Sequence, residues 1–197
     1  MTAIAKPSQR PLATGRLRLI PSGPEWAAAA LDYQCRNRVH FTEWDPAPGE
    51  LFFTEHYWSA RLRQRSREWE EGRGMSFLLT PVADPETVIG IASISNIVRG
   101  VFQSAYLGYS LDAGYEGRGL MREALEAVLD FAFREQSLHR LQANYQPHNV
   151  RSAGLLKRLG FHVEGYAADY LYLNGAWRDH VLTARLNPDF DSARLIV

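Results

Sequence analysis

The stretch GYEGRGLMREAL, from Gly114 to Leu125, limits the possible folds of this chain more than any other segment. Its three glycines fall within six residues, between an alternating apolar segment at 105–111 and a segment at 119–135 with apolar residues at helical spacing. Glycine is unfavourable inside helices and strands, so the cluster indicates either a tight turn or a ligand close to the backbone. The chain must therefore contain a strand, a glycine-rich turn and a helix in direct succession.

Hydrophobic periodicity along the rest of the chain predicts a single α+β domain at 14–188. Alternating segments predict strands at 16–20, 75–80, 88–98, 105–111, 139–145, 161–173 and 177–186. Helices are predicted at about 24–39, 50–71, 119–135 and 149–160, and Asn174-Gly175 predicts a hairpin turn between the last two strands. The resulting order, β-α-α-β-β-β-α-β-α-β-β, predicts a mixed sheet flanked by helices, with a flexible leader at 1–13 and a C-terminal tail at 189–197.

Composition excludes several classes of protein. Lys plus Arg and Asp plus Glu number 22 each, and this zero net charge argues against wholesale binding to nucleic acid or to an acidic membrane. Cys35 is the only cysteine, which rules out an internal disulfide and makes a cytoplasmic protein the default. No apolar run is long enough for a transmembrane helix, and the opening segment lacks the apolar core of a signal peptide. The six histidines lack a metal-ligand spacing, so we expect no metal.

The glycine cluster is also suited to bind a phosphate group. A helix that follows a glycine-rich turn offers unpaired N–H groups and the positive end of its dipole. Gly117 and Gly119 let the backbone approach a ligand, and Arg118 and Arg122 lie where they can pair with phosphate oxygens. The segment lacks the Gly-Lys-Ser/Thr of a Walker A motif and the third glycine of G-x-G-x-x-G. Taken alone, it leaves a plain turn and a phosphate site equally open.

The order of AYLGYSL, GYEGRGLMREAL and NYQPHNVRS resembles the GNAT acyltransferase superfamily. The phosphate motif of that superfamily is Gln/Arg-x-x-Gly-x-Gly/Ala, and here Glu116 and Met121 replace its first and last residues. We expect Glu116 to point outward, because a carboxylate cannot help to bind an anion, and Met121 to contribute its backbone N–H. Over about residues 88–188 the chain is similar to the RimJ branch, through SNIVRGVFQSAYLGYSL, GRGLMREAL, HRLQANYQPHNVRS and RLGFHVEGYAADYLYLNGAWRDHVLTA. Members of that branch acetylate the N-terminal alanine of a small-subunit ribosomal protein.

The resemblance implies a GNAT fold with a mostly antiparallel sheet and acetyl-CoA as co-substrate. It places the pyrophosphate on a phosphate cradle formed by Gly117, Arg118, Gly119, Leu120, Met121 and Arg122. It places the pantetheine arm beside Tyr109, Ser110 and Leu111, where a backbone N–H is expected to stabilise the oxyanion. Asn149 and Ser152 complete the implied cofactor contacts, and Asn149 is also placed to cap the helix that follows it.

The implied reaction is direct attack of an amine on the thioester. An α-amine has a pKa near ~8 and a lysine amine near ~10.4, so about a tenth of an α-amine is already neutral at pH 7. A weak base, or a water chain that leads to one, is then sufficient. Leu156 occupies the position at which many relatives have a tyrosine that acts on the departing thiol, so we expect Ser152 to take that role.

Two polar residues of the predicted sheet are candidates for contact with the acceptor. Asn144 stands where some relatives have a glutamate, and we expect it to bind a substrate carbonyl or a water. Asp169 shares the odd positions of the strand at 161–173 with apolar residues, which predicts a base or a ligand of the amine. A bulge near Gly165 would instead turn Asp169 outward. Further carboxylate candidates are Asp179, Glu43 and Asp45.

Three functions remain open from the sequence. The one we expect is acetylation of a protein N-terminus, with a ribosomal protein as partner. The alternatives are acetylation of a small-molecule amine and a non-catalytic module that binds CoA or the ribosome. A module that only binds phosphate would have no need of Asn149 and Ser152, and fold-level analogy alone would not decide the matter. We also expect a cytoplasmic monomer or homodimer that binds neither nucleic acid nor membrane.

Overall fold

The structure, a computed structural model, describes residues 9–195 and contains one mixed sheet flanked by helices. The described strands are β1 (Leu12–Ala13), β2 (Leu17–Pro21), β3 (Met75–Pro81), β4 (Gly90–Val98), β5 (Ser104–Leu111), β6 (Arg140–Tyr145), β7 (His162–Leu173) and β8 (Ala176–Leu186). The described helices are α1 (Ala27–Arg36), α2 (Arg38–Phe41), α3 (Glu55–Glu70), α4 (Leu120–Asp130) and α5 (Val150–Arg158). The strands lie in the order β1-β2-β3-β4-β5-β6-β8-β7, and only β5 and β6 are parallel neighbours. No helix within residues 9–195 has both the length and the apolar character needed to cross a membrane.

The predicted order of elements is confirmed, and the structure adds two short elements, β1 and α2. Leu12–Ala13 pair with β2, and Leu12 is buried, so the predicted flexible leader does not extend to residue 13. Its first eight residues lie outside the described range. The helix predicted at 24–39 is interrupted at Asn37, whose side chain donates to the Tyr33 carbonyl and to Asp112. An amide that bonds to a loop in this way ends α1 and lets α2 start in a new direction.

Apolar side chains form one core on each face of the sheet. Odd-numbered residues of β5 and β6, such as Leu107 and Leu141, belong to the core that contains the apolar side of α4. Even-numbered residues face the other way, because side chains alternate along a strand. The Ser110 hydroxyl, for example, accepts a hydrogen bond from Tyr33 of α1. We refer to these two sides as the α4/α5 face and the α1/α3 face.

β5 and β6 separate in the middle of the sheet. They pair from Ser104 and Arg140 to Tyr106 and Gln142, and the described residues beyond that point do not pair with each other. β5 nevertheless continues to Leu111. The separation, which we call the β5/β6 gap, exposes a strand edge whose backbone groups can bind an extended ligand.

Candidate functional site

The edge of β5 that lines the β5/β6 gap carries free backbone groups at alternate residues. The Asp112 N–H donates to the Ile89 carbonyl on the side of β4, at 2.8 Å, and Ser110 pairs with Ile91 on the same side. Backbone groups alternate in direction along a strand, so those of Tyr109 and Leu111 point into the gap and those of Ser110 do not. Of the three residues predicted beside the pantetheine arm, two can therefore bind it through the backbone.

The phosphate cradle follows β5 and ends at the N-terminus of α4. Gly117 and Gly119 have φ values of 73° and 74°, which residues other than glycine rarely adopt. Gly119 is the N-cap of α4, and no side chain of the described residues caps that end of the helix. The first N–H groups of α4 are therefore open to a ligand. A Cβ built on Gly117 would meet no described atom within 4 Å, so the turn requires this glycine for its conformation while leaving room for an anion.

Asp112 fastens the start of the cradle to the end of α1. Its Oδ1 accepts from the Gly114 N–H at 2.8 Å, and its Oδ2 accepts from Nδ2 of Asn37 at 2.9 Å and from Nε of Arg36 at 3.3 Å. Burial alone would raise the pKa of Asp112, but these hydrogen bonds and the Arg36 charge hold the pKa below its ordinary value. A carboxylate that remains ionised thus fixes the loop from which the cradle begins.

The turn between β1 and β2 holds the cradle from the other side. Nη1 of Arg16 donates to the Arg118 carbonyl at 2.9 Å. Glu123, in the first turn of α4, accepts from the Thr14 hydroxyl at 2.6 Å and from the Arg16 N–H at 2.8 Å. Burial would raise the pKa of Glu123, but the hydrogen bonds from Thr14 and Arg16 lower it. These residues were not predicted to have a role, because nothing in the local sequence indicates that they contact α4.

The two arginines of the cradle do not point at the helix end in this structure. Nη2 of Arg118 donates to the Gly114 carbonyl at 2.7 Å, and its guanidinium lies 5.3 Å from the centre of the Tyr115 ring. Nε of Arg122 donates to Glu126 at 2.8 Å. Both arginines are exposed, so their contact with phosphate remains a prediction that requires only a side-chain rotation.

Glu116 does not point outward as expected. Its Oε1 lies 3.2 Å from Nε2 of His40, and its Oε2 accepts from Arg151. These contacts join α2 and α5 across the cradle, and two basic groups surround the negative charge. Leu120 and Met121, the other predicted contacts, have buried side chains, so only their backbone groups can reach a ligand.

Ser152 lies on the α4/α5 face, beside the gap. Asn149 caps α5 as expected, because its Oδ1 accepts from the Ser152 N–H at 3.0 Å. The Ser152 hydroxyl lies 2.7 Å from the hydroxyl of Tyr109. Burial raises the pKa of Tyr109 to about 12, although the bond to Ser152 opposes the rise. Leu156, in the position of the tyrosine of other relatives, is buried in the core.

Asn144 lies on the opposite side of the sheet, on the α1/α3 face of β6. Its Nδ2 donates to the Tyr170 hydroxyl at 3.0 Å, and its Oδ1 accepts from the Thr183 N–H at 3.4 Å. Burial raises the pKa of Tyr170, and so do the charge and the hydrogen bond of Tyr106. The His180 ring lies 5.2 Å from the Tyr170 ring. We call Tyr106, Asn144 and Tyr170 the acceptor-face cluster.

Asp169 does not lie on the apolar side of β7, where the alternation of the sequence predicted it. β7 is out of register with β8 at Val163–Gly165, which the sequence allowed for, and again at Ala167–Leu171, which it did not. Asp169 lies in the second bulge with a φ of 48°, is exposed, and donates its N–H to Oδ1 of Asp179 at 2.9 Å. The bulge leaves Asp169 outside the apolar face and presents Tyr170 to Asn144 instead.

A loop at 42–49 connects two edges of the α1/α3 face. Asn174, in the β7–β8 turn, donates to the Thr42 carbonyl. Gln146, after β6, donates to the Glu43 carbonyl at 3.4 Å. The loop thus joins the hairpin tip to the segment that precedes α5 and brings its carboxylates to this face.

Asp45 is the carboxylate candidate of that loop with the most perturbed surroundings. Burial raises its pKa, and the charge of His40 opposes the rise. Its charge also adds to the rise that burial causes in the pKa of Tyr33, whose hydroxyl donates to Ser110 at 2.9 Å. Asp45 is nonetheless exposed to solvent. Within the described part of the chain, no three His, Cys, Asp or Glu side chains are grouped as metal ligands.

Tyr106 and Tyr170 were not predicted as residues of the site. Alternation could have identified Tyr106, because it shares its face of β5 with Gly108 and Ser110, the less apolar side of the strand. It could not have identified Tyr170, because the second bulge of β7 changes the side on which that residue lies.

Known proteins resemble this chain over most of its length. Residues 16–162 match the family model described as the acetyltransferase (GNAT) domain. Over 186 residues the chain is 45% identical to the [ribosomal protein uS5]-alanine N-acetyltransferase of Escherichia coli (strain K12), which covers 93% of this chain and 94% of that protein. The matched segment includes the gap, the cradle and α5.

Two solved structures have the same fold. A ribosomal-protein-S5-alanine acetyltransferase from Vibrio fischeri has a TM-score of 0.88 at 37% identity and covers 92% of this chain and 99% of its own. Mycobacterium smegmatis RimJ in complex with CoA-disulfide has a TM-score of 0.81 at 29% identity, with 86% and 81% covered. The predicted fold is confirmed, and one structure that shares it contains a derivative of CoA.

Proposed function

The chain belongs to the GNAT acetyltransferase family, and from that premise we propose that it transfers the acetyl group of acetyl-CoA to the α-amine of a protein N-terminus. The acceptor we propose is the N-terminal alanine of a small-subunit ribosomal protein. The observation that carries the proposal is the β5/β6 gap, with Ser152 on one face and the acceptor-face cluster on the other. Two substrates can reach such a gap from opposite faces and react inside it. The proposal implies a cytoplasmic protein, because ribosomal proteins are synthesised there.

The residues along the gap fit acetyl-CoA. The open N–H groups of α4 and the bare backbone of Gly117 and Gly119 suit a pyrophosphate. The backbone groups of Tyr109 and Leu111 suit the amide-rich pantetheine arm. When bound, acetyl-CoA supplies a thioester, which is an activated acyl group.

The chain itself has two tasks during acetyl transfer. As the amine nitrogen bonds to the acetyl carbon and the carbon–sulfur bond breaks, negative charge develops first on oxygen and then on sulfur. An N–H of Tyr109 or Leu111 stabilises the oxyanion. Ser152 donates a hydrogen bond to the departing sulfur, which is sufficient because a thiol with a pKa of about 8.5 is a fair leaving group near neutral pH.

Asp45 is the carboxylate that we assign to the proton released by the nitrogen, directly or through water. Its raised pKa brings it closer to the working pH, where a general base is most effective. Its charge acts on Tyr33, whose hydroxyl donates to Ser110 on the α1/α3 face. Asp169, the first candidate from the sequence, lies in the second bulge of β7, outside the apolar face, and is a weaker choice.

An acetyl-transfer assay with detection of free thiol tests the proposal. The acceptors are a uS5 N-terminal peptide that starts with Ala, the same peptide starting with Ser, an N-terminally blocked peptide with one lysine, and spermidine. We expect the Ala peptide to be the best acceptor. The lysine peptide and spermidine should react more slowly by a factor of about 100 or more, because their amines are almost fully charged at neutral pH. A preference for lysine or spermidine would overturn the proposed acceptor. Tight binding of acetyl-CoA without turnover of any amine would indicate a binding module.

A further inference from the structure

We infer that Tyr170 belongs to the acceptor site, where its hydroxyl and that of Tyr106 orient the attacking amine, and that Asp179 holds the strand bulge that places Tyr170 there. The inference rests on the proposed function and adds the side chains that select the acceptor class. Tyr170 contacts the acceptor, whereas Asp179 is a positioning residue that acts through the backbone of β7.

The second bulge in β7 is a local departure from regular strand pairing, and its size is defined. β7 advances four residues, from Ala167 to Leu171, while β8 advances two, from His180 to Arg178. Asp169, inside the bulge, has a φ of 48°, in the left-handed region that is unfavourable for a residue with a Cβ. Such a conformation persists only where its surroundings hold it, and it is frequent at functional sites.

The carboxylate of Asp179 holds the bulge in place. It lies on β8 between the two register positions, where Oδ1 accepts from the Asp169 N–H at 2.9 Å and Oδ2 accepts from the Tyr166 hydroxyl. These two hydrogen bonds lower the pKa of Asp179, so it remains an ionised acceptor. One side chain thereby bonds to β7 before the bulge and at its centre.

The bulge directs the Tyr170 hydroxyl to the entrance of the β5/β6 gap. Nδ2 of Asn144 donates to the Tyr170 oxygen at 3.0 Å, so the proton of Tyr170 is available to the Tyr106 oxygen. Tyr106 takes part in the last pair between β5 and β6, with Gln142. The Tyr170 hydroxyl therefore lies on the α1/α3 face, next to the pair after which the two strands separate.

The chemistry of the cluster favours an amine that arrives neutral. Its members are two phenols and an amide, and the groups that perturb Tyr170 include no carboxylate among the described residues. Asp45 lies on the same face but is not one of those groups. A charged ammonium loses hydration in such a site and gains no opposite charge from the three cluster residues, whereas a neutral amine finds hydroxyl oxygens that accept its N–H groups. The cluster thus favours an α-amine over a lysine side chain or a polyamine.

Removal of single hydroxyl groups tests the role of Tyr170. Tyr170→Phe is compared with Tyr172→Phe, a matched control on the same strand, whose exposed ring packs against Trp177. We expect Tyr170→Phe to lower kcat/KM for the Ala peptide by about tenfold and to reduce its preference over the lysine peptide, because a hydrogen-bond partner of the acceptor is lost. Acetyl-CoA affinity, measured by calorimetry, and the melting temperature should stay at the wild-type values. The control should match the wild type in every measurement.

Two substitutions of Asp179 test the positioning role. Asp179→Ala should reproduce the loss seen with Tyr170→Phe, and Asp179→Asn should recover most of the activity, because its amide oxygen still accepts from the Asp169 N–H. If Asp179→Ala does not fold, Asp179→Asn and Tyr170→Phe still decide the matter. Equal activity of Tyr170→Phe and Tyr172→Phe, in a protein that acetylates the Ala peptide, would overturn the inference and leave the proposed function intact. Failure of the wild type to acetylate any α-amine would overturn both, before any variant is compared.

Discussion

The hydroxyl pair of Tyr109 and Ser152 shows how a single residue can act through its neighbour. Burial raises the pKa of Tyr109 to about 12, against about 8.5 for a thiol, so full proton transfer from this phenol to a thiolate would be uphill by roughly 5 kcal/mol. A neutral phenol at 2.7 Å is instead suited to donate a hydrogen bond to the Ser152 oxygen. The serine proton is then free to turn toward the gap, where the sulfur departs.

This role predicts that the two hydroxyl groups are not independent. Ser152→Ala should lower kcat by about tenfold, and Tyr109→Phe by a smaller factor, with acetyl-CoA affinity unchanged in both. The double variant should be no slower than Ser152→Ala, because Tyr109 has nothing to orient once the serine hydroxyl is absent. Steady-state kinetics and calorimetry on the four proteins provide the measurement. Losses that add in the double variant would show that Tyr109 acts separately from Ser152.

At the residue scale, the sequence predicted functional side chains where the rules are local. Asn149 was identified as a cap because helix N-termini have a fixed chemical requirement. Asp169 was misplaced because its direction depends on a bulge that Asp179 holds from another strand. Glu116 was misjudged because its partners, His40 and Arg151, come from helices distant in the sequence. Contacts between distant segments are the part that periodicity cannot supply.

At the element scale, the cradle lies between a strand and a helix. The contribution of its turn to stability can be tested separately from ligand binding. Gly117 and Gly72 have φ values of 73° and 68°, and a Cβ on either would meet no described atom within 4 Å. Gly72 follows α3, outside the cradle. Gly117→Ala and Gly72→Ala should therefore both lower the free energy of unfolding by roughly 1–2 kcal/mol, the cost of a left-handed conformation with a Cβ.

Only Gly117→Ala should also weaken acetyl-CoA binding, because its methyl group enters the space proposed for the pyrophosphate. Chemical denaturation measures the shared loss of stability, and calorimetry measures the affinity that separates the two variants. Unchanged affinity in Gly117→Ala, with the expected loss of stability, would show that the glycine serves the turn alone.

Periodicity predicted each long element, and tertiary contacts determined the rest. The predicted strands correspond to β2 through β8, and the predicted helices contain α1, α3, α4 and α5. Among the features that were not predicted are the two-residue strand β1, the break at Asn37, the second bulge of β7 and the π-helical turn at Phe131–Glu135 that extends α4. Each is short, and β1, the break at Asn37 and the bulge each involve a bond to a distant segment, so a window of hydrophobicity contains no signal for them.

At the scale of the whole molecule, the two faces of the sheet offer separate approaches to the β5/β6 gap. The cradle and Ser152 lie toward the α4/α5 face, and the acceptor-face cluster lies toward the α1/α3 face. The β5/β6 gap is the opening that connects them. Neither substrate then has to leave before the other enters, so the architecture favours a complex that contains both.

Direct transfer in such a complex predicts sequential kinetics. Double-reciprocal plots for acetyl-CoA at several peptide concentrations should intersect, because no acetyl-enzyme forms between the two substrates. Cys35, the only cysteine, is exposed on α1, whose buried residues Ala30 and Tyr33 face the sheet. Cys35→Ala should therefore retain the wild-type kcat and the same intersecting pattern. Parallel lines for the wild type, together with loss of turnover in Cys35→Ala, would mean that the acetyl group passes through a thioester on the protein, and the two-faced gap would then not be the place where the substrates meet.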